Sequence, residues 1–116
     1  EAFPIKTRLL PYKKGMEIPK NQYTKWFDYD KIKGTLSLRH RQPGDYLTLP
    51  SGGRKTLKSW MIDEKIPRQE REEIWLLAEE KHILWIVGHR ISAYYKITEQ
   101  TKTILEVEFN GGKSSG

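Results

Sequence analysis

At both ends of the chain apolar and polar side chains alternate residue by residue, and that period of two commits those segments to strands rather than helices. Phe3, Ile5, Thr7 and Leu9 fall on one side of Phe3 to Leu10, with Pro4, Lys6 and Arg8 on the other. Thr103, Leu105, Val107 and Phe109 alternate in the same way with Ile104, Glu106 and Glu108. Between these ends the apolar runs are short, and turn residues or charged clusters close them. Thr35 to Arg41 places Leu36, Leu38 and His40 on one face and Arg39 and Arg41 on the other. Pro43-Gly44-Asp45 supplies turn chemistry, so the chain is expected to reverse there into Tyr46 to Leu49 as a hairpin. Ile74 to Leu77 and Ile83 to Val87 read as two further antiparallel strands anchored by Trp75 and Trp85, and Gly88 begins another turn.

Helical spacing occurs twice. Ser51-Gly52-Gly53 reads as a flexible connection into Thr56, which caps a helix whose Leu57, Trp60 and Met61 stand at i, i+3 and i+4. Pro67 suits the first turn of a second helix, Arg68 to about Glu73, because a helix start has no use for the amide hydrogen that proline lacks. Glu72 is expected to pair with Arg68 across one turn. Residues 20–33 and 91–97 show no clean period; an aromatic group such as Tyr23, Trp26, Phe27 and Tyr29 fits a short strand or a packed turn equally well. The fold class is therefore α+β: a small strand-dominated domain with antiparallel or mixed sheets and two short helices inserted between early and late strands. Residues 1–110 are expected to form a single domain and residues 111–116 a flexible polar tail.

The 116 residues suit one domain. The absence of cysteine excludes disulfides, thiolate nucleophiles and Cys-based zinc sites. No stretch approaches the roughly 20 apolar residues of a membrane span, so a soluble, cytoplasmic protein is expected. The chain begins at Glu1, which reads as a piece of something longer with a partner domain upstream.

Charge is unevenly spread. Residues 1–58 carry 13 Lys or Arg against 5 Asp or Glu, a net of +8, whereas residues 59–116 carry 8 against 10, a net of −2. Such a directional field attracts phosphates. The cationic residues singled out as RNA contacts are Arg39, Arg41, Arg54, Lys55, Lys58, Lys65, Arg68, Arg71 and Arg90, with Pro43, Gly44, Asp45 and Gly88 as structural turn residues. A base-paired stem is the better fit, since duplex RNA is held through phosphates, 2′-hydroxyls and shape, and most of the aromatic residues stand at core spacing rather than free for stacking. DNA and membrane are not expected partners.

No catalytic constellation accompanies these cations. His40, His82 and His89 lack companions at metal spacing, so no metal is expected. Asp63-Glu64 and Glu72-Glu73 are adjacent pairs that point apart on a helix. Ser51-Gly52-Gly53-Arg54-Lys55-Thr56 lacks the spacing of a Walker A loop.

The ordered series Leu38-Arg39-His40-Arg41-Gln42-Pro43-Gly44-Asp45, Lys55-Thr56-Leu57-Lys58, Lys65-Ile66-Pro67-Arg68 with Arg71, and Trp85-Ile86-Val87-Gly88 with Arg90-Ile91 resembles the C-terminal domain of the tRNA(Ile)-lysidine synthetase family, over about Phe27 to Phe109. The resemblance implies a cytoplasmic bacterial ligase that uses ATP to attach lysine to the wobble cytidine of an isoleucine tRNA. It implies that this domain holds the tRNA by its acceptor stem, and that ATP and Mg serve an N-terminal catalytic domain absent from this chain. The family's Ser-Gly-Gly-x-Asp-Ser nucleotide loop is not reproduced by Ser51 to Thr56, which lacks the aspartate, so no cofactor is expected in this fragment. The alternative reading is a noncatalytic protein–protein or homodimerisation module, docking through Trp26, Phe27 or strand edges, with a merely solvated basic surface.

Overall fold

The computed structural model describes residues 4–110, which divide into two compact units. One unit is built from the flanking segments up to residue 31 and from residue 96 onward; the other comprises Ile32–Tyr95.

In the flanking unit, β1 (Ile5–Pro11) and β2 (Thr24–Asp28) both pair antiparallel with the last strand, β9 (Thr103–Phe109), which is central. The alternation seen in sequence at both ends is thus the two sides of one ladder. Its burial is unequal: in β1 Leu9 is exposed and Ile5 and Leu10 are half-buried, whereas Leu105, Val107 and Phe109 of β9 are buried. The undecided aromatic stretch forms β2 and a short 3-10 turn, Tyr29–Lys31. Trp26 and Phe27 are buried there, so neither is available for docking a partner. Across the polar side of the ladder, Glu106 lies opposite both Arg8 and Trp26 and binds them both.

The inner unit carries β3 (Leu36–Arg39), β4 (Tyr46–Thr48), β5 (Arg54–Thr56), α1 (Leu57–Asp63), α2 (Arg68–Arg71), β6 (Leu76–Glu79), β7 (His82–Ile86) and β8 (Arg90–Ile91). Sheet order is β3-β6-β7-β4-β5, with β8 on β7. All neighbours are antiparallel except β4 and β7, which meet in parallel at Tyr46 and His82. The expected β3–β4 hairpin does not form. Pro43-Gly44 does turn the chain, with Gly44 at φ +89 and the Asp45 amide donating to the Gln42 carbonyl at 3.3 Å, but the β6–β7 hairpin inserts between the two strands. The hairpin partner of β4 is β5, so a short strand, Arg54–Thr56, stands between the Ser51-Gly52-Gly53 connection and the helix; Gly52 at φ +98 makes the turn.

Both helices form. Thr56 Oγ1 accepts from the Ser59 amide at 3.1 Å, and Leu57, Trp60 and Met61 are buried against Leu47, Leu76 and Ile83. Burial of these side chains, worth about 1.5–3 kcal/mol each, holds a helix too short to persist alone. The helix ends in a Schellman motif: the Ile66 amide donates to the Met61 carbonyl and the Lys65 amide to the Ile62 carbonyl, each at 3.0 Å. Lys65 occupies the left-handed position usually given to glycine, at φ +57. Pro67 is the N-cap of α2, which starts at Arg68 as expected and stops at Arg71 rather than near Glu73. The indeterminate stretch after Ile91 contains a 3-10 turn, Ala93–Tyr95. No helix among the described residues is long and apolar enough to cross a membrane.

Candidate nucleic-acid interface

The nine cations singled out from the sequence all lie in the inner unit, but the fold uses them differently. Arg39, at the end of β3, turns inward. Its Nη1 and Nη2 donate to the two carboxylate oxygens of buried Asp45 at 2.9 and 3.0 Å, and it also reaches the carbonyls of His40 (2.9 Å) and Glu80 (2.6 Å). Asp45 in turn accepts from the Gln42 amide at 2.8 Å. Arg39 is therefore a clamp that ties the Pro43-Gly44 turn to the β6–β7 hairpin, with both of its terminal nitrogens already engaged.

Arg41 and Lys55 are also paired. Arg41 holds Glu72 through Nε at 2.8 Å and Nη2 at 2.6 Å, and Lys55 holds Asp63. Glu72 is thus engaged 31 residues back along the chain rather than with Arg68 one turn away. Arg71 Nε donates to the Ile66 carbonyl at 2.8 Å, which orients it along the α1–α2 connection. Arg54 lies with its guanidinium 4.2 Å from the centre of the Tyr46 ring, a cation–π contact. Lys58, Lys65, Arg68 and Arg90 are exposed and make no ion pair among the described residues.

Arg41 and Lys58 meet on one groove of about 600 Å³, whose walls include the Pro43-Gly44 turn, Thr56 and Glu72. Two sides of this groove exist because of turn chemistry and capping legible in sequence. Its composition, an exposed lysine facing a guanidinium beside a proline–glycine turn, suits an anionic, shape-defined ligand such as a phosphate backbone.

Sequence reasoning missed an aromatic cluster behind this surface. His82 stacks on Tyr46 with centroids 4.5 Å apart and contacts Tyr94 and Tyr95 at 5.2 and 4.9 Å, while its Nε2 lies 2.9 Å from Thr48 Oγ1. Burial, and then the nearby Arg54 charge, lower its pKa from the ordinary value, so the ring stands neutral. Glu79 accepts from the Tyr95 hydroxyl at 2.7 Å and from the Lys33 and Gly34 amides. Burial pushes the Glu79 carboxyl up, but these bonds outweigh it and leave the group below the usual carboxylate range. No spacing in the sequence announces this cluster, because its members come from β4, β6, β7 and the turn after β8.

The Ser51-Gly52-Gly53 turn closes the β4–β5 hairpin and leads into a strand rather than a helix start, and no group of three His, Cys, Asp or Glu side chains converges among the described residues.

Comparison with known proteins follows the same outline. The chain is 46% identical over 91 residues to the tRNA(Ile)-lysidine synthase of Caldanaerobacter subterraneus subsp. tengcongensis, covering 78% of this chain and 20% of that protein. It is 38% identical over 110 residues to the synthase of the same name from Dehalococcoides mccartyi, covering 94% and 23%. The chain thus spans about a fifth to a quarter of the length of these relatives. A solved structure described as the crystal structure of a TILS C-terminal domain superposes with a TM-score of 0.71 at 25% identity, over 95% of this chain and 85% of that one. The family model for the TilS substrate C-terminal domain matches residues 36–108, which take in the clamp, both helices, the groove and the last strand. By that match this chain belongs to the TilS substrate C-terminal domain family, the C-terminal domain of tRNA(Ile)-lysidine synthases.

Proposed function

We propose that this chain is the tRNA-holding part of a cytoplasmic ligase that attaches lysine to the wobble cytidine of isoleucine tRNA, and that it grips the acceptor stem. The supporting observation is that the family match over residues 36–108 contains Lys58, Lys65, Arg68 and Arg90, exposed and without an ion pair among the described residues, together with the groove shared by Arg41 and Lys58. The reaction itself, with ATP and Mg, belongs on this reading to an upstream catalytic domain of the same protein.

A-form RNA hides its base edges in a deep, narrow major groove, so a stem is held by its backbone path. Rigidly mounted cations are suited to that path. The Schellman motif sets the backbone at Lys65, the carbonyl bond orients Arg71, and the short helix α2 presents Arg68. Such a surface reads spacing between phosphates rather than sequence, and each phosphate neutralised on a duplex adds about 0.9 to the slope of log affinity against log salt.

The test is binding of the chain to isoleucine and methionine tRNAs bearing the same anticodon, at two salt concentrations. Tighter, salt-sensitive binding of the isoleucine tRNA is expected, and a Lys58→Ala, Arg68→Ala double variant should flatten the salt slope by about two. Equal binding by parent and double variant would overturn the contact assignment. A stable dimer with no RNA affinity at low salt would instead favour the homodimerisation reading.

A further inference from the structure

The two surface ion pairs of the inner unit share a geometry that the buried Arg39–Asp45 pair lacks. In Arg41–Glu72 the arginine side chain is 29% exposed and the glutamate 63%; in Lys55–Asp63 the lysine is 28% exposed and the aspartate 55%. In Arg39–Asp45 the acid is 1% exposed. In the surface pairs, then, the cation is held by the fold and the acid reaches in from solvent. Asp63 is the last residue of α1 and Glu72 directly follows α2, so both acids stand on the segments that carry the free Lys58 and Arg68.

An acid in this position resembles an RNA phosphate in charge and in offering an anionic acceptor oxygen to the cation, as Glu72 Oε2 does to Arg41 and Asp63 Oδ2 to Lys55. Its hold is weak, because a pair whose acid remains largely hydrated gains little net energy. A phosphate delivered at the same place can therefore take the cation over. A polyanion whose backbone runs elsewhere meets a carboxylate instead and is repelled.

Resting on the tRNA-holding reading, we propose that Glu72 and Asp63 are built-in phosphate surrogates. They occupy Arg41 and Lys55 in the free protein, and suppress binding of RNAs whose backbone does not displace them. The two carboxylates are specificity residues that act through the cations they cover. The Arg41–Glu72 pair is the more informative of the two, because both residues line the groove that also holds Lys58.

The experiment compares the parent chain with Glu72→Gln, Asp63→Asn and, as a control for net charge, Glu99→Gln, an exposed acid of the other unit with no ion pair among the described residues. Each is titrated with a duplex copying the isoleucine tRNA acceptor stem and with a shuffled duplex of equal length. Glu72→Gln and Asp63→Asn should each tighten binding by up to about fivefold, the scale of a surface pair converted to affinity. The gain should be larger for the shuffled duplex, so that discrimination narrows. Unchanged or weaker binding by Glu72→Gln, or an equal gain from Glu99→Gln, overturns the inference while leaving the tRNA-holding reading intact. A parent chain that binds neither duplex at low salt overturns that reading, and the inference falls with it.

Discussion

The guanidinium of Arg39 donates to both carboxylate oxygens of Asp45 at 2.9 and 3.0 Å, and that carboxylate is almost sealed from water. Removing one member strands the other. Arg39→Ala should cost about 3–5 kcal/mol, the scale for an uncompensated buried charge, and release the Glu80 carbonyl as well. Arg41→Ala, whose partner is exposed, should cost about 1 kcal/mol or less. Denaturant unfolding of both variants checks this, and equal losses would contradict the division into clamp and contact.

Lys65 combines two properties that a single substitution separates. Its left-handed conformation is strained for a side chain and free of strain for glycine, and its charge is exposed. Lys65→Gly should therefore raise stability by about 0.5 kcal/mol, the gain trimmed by the greater freedom of an unfolded glycine. RNA affinity should fall in the same variant. Calorimetry and a binding titration on one preparation would show whether the two quantities move in opposite directions.

The neutral His82 makes stability depend on pH in a known sense. Its folded pKa lies below the ordinary 6.5, so the unfolded chain binds the proton more readily. Its contribution is fully present above about pH 6.5 and is lost as pH falls through the folded value. Glu79 and Glu106, both held below the ordinary 4.5, add a second loss at lower pH. An NMR titration should place His82 below 6.5, and Arg54→Gln should move it upward by removing a repelling charge.

Glu106 joins three strands through side chains, accepting from Arg8 Nε at 2.6 Å and Trp26 Nε1 at 2.9 Å. Glu106→Ala leaves the buried indole hydrogen without a partner and should cost about 1–2 kcal/mol. Arg8→Ala, whose side chain stands in solvent, should leave the unfolding midpoint essentially unmoved. Thermal melts of the two variants distinguish them.

Local chemistry was readable from the sequence wherever a short span decides it. The Thr56 cap, the stripe of Leu57, Trp60 and Met61, the Gly44 turn and the alternation of β9 each depend on a handful of adjacent residues. Pairing between distant strands was not, which is why β3 was matched to β4 when β6 and β7 lie between them. The same limit applies at the candidate interface. Composition marked the cations, but which of them are free depends on Asp45, Glu72 and Asp63 arriving from other elements, and no periodicity encodes those meetings.

The three-stranded sheet has a temporal consequence. Arg8 finds Glu106 only across a separation of 98 residues, and β1 and β2 are each hydrogen-bonded to the final strand and not to each other. During synthesis both early strands must wait, unzipped, while residues 32–95 emerge and build a core of their own. Only when Thr103–Phe109 clears the ribosome can the flanking ladder close. A stop codon a dozen residues early would therefore remove most of the strand that both early strands pair with and leave them with raw edges, a natural target for proteolysis.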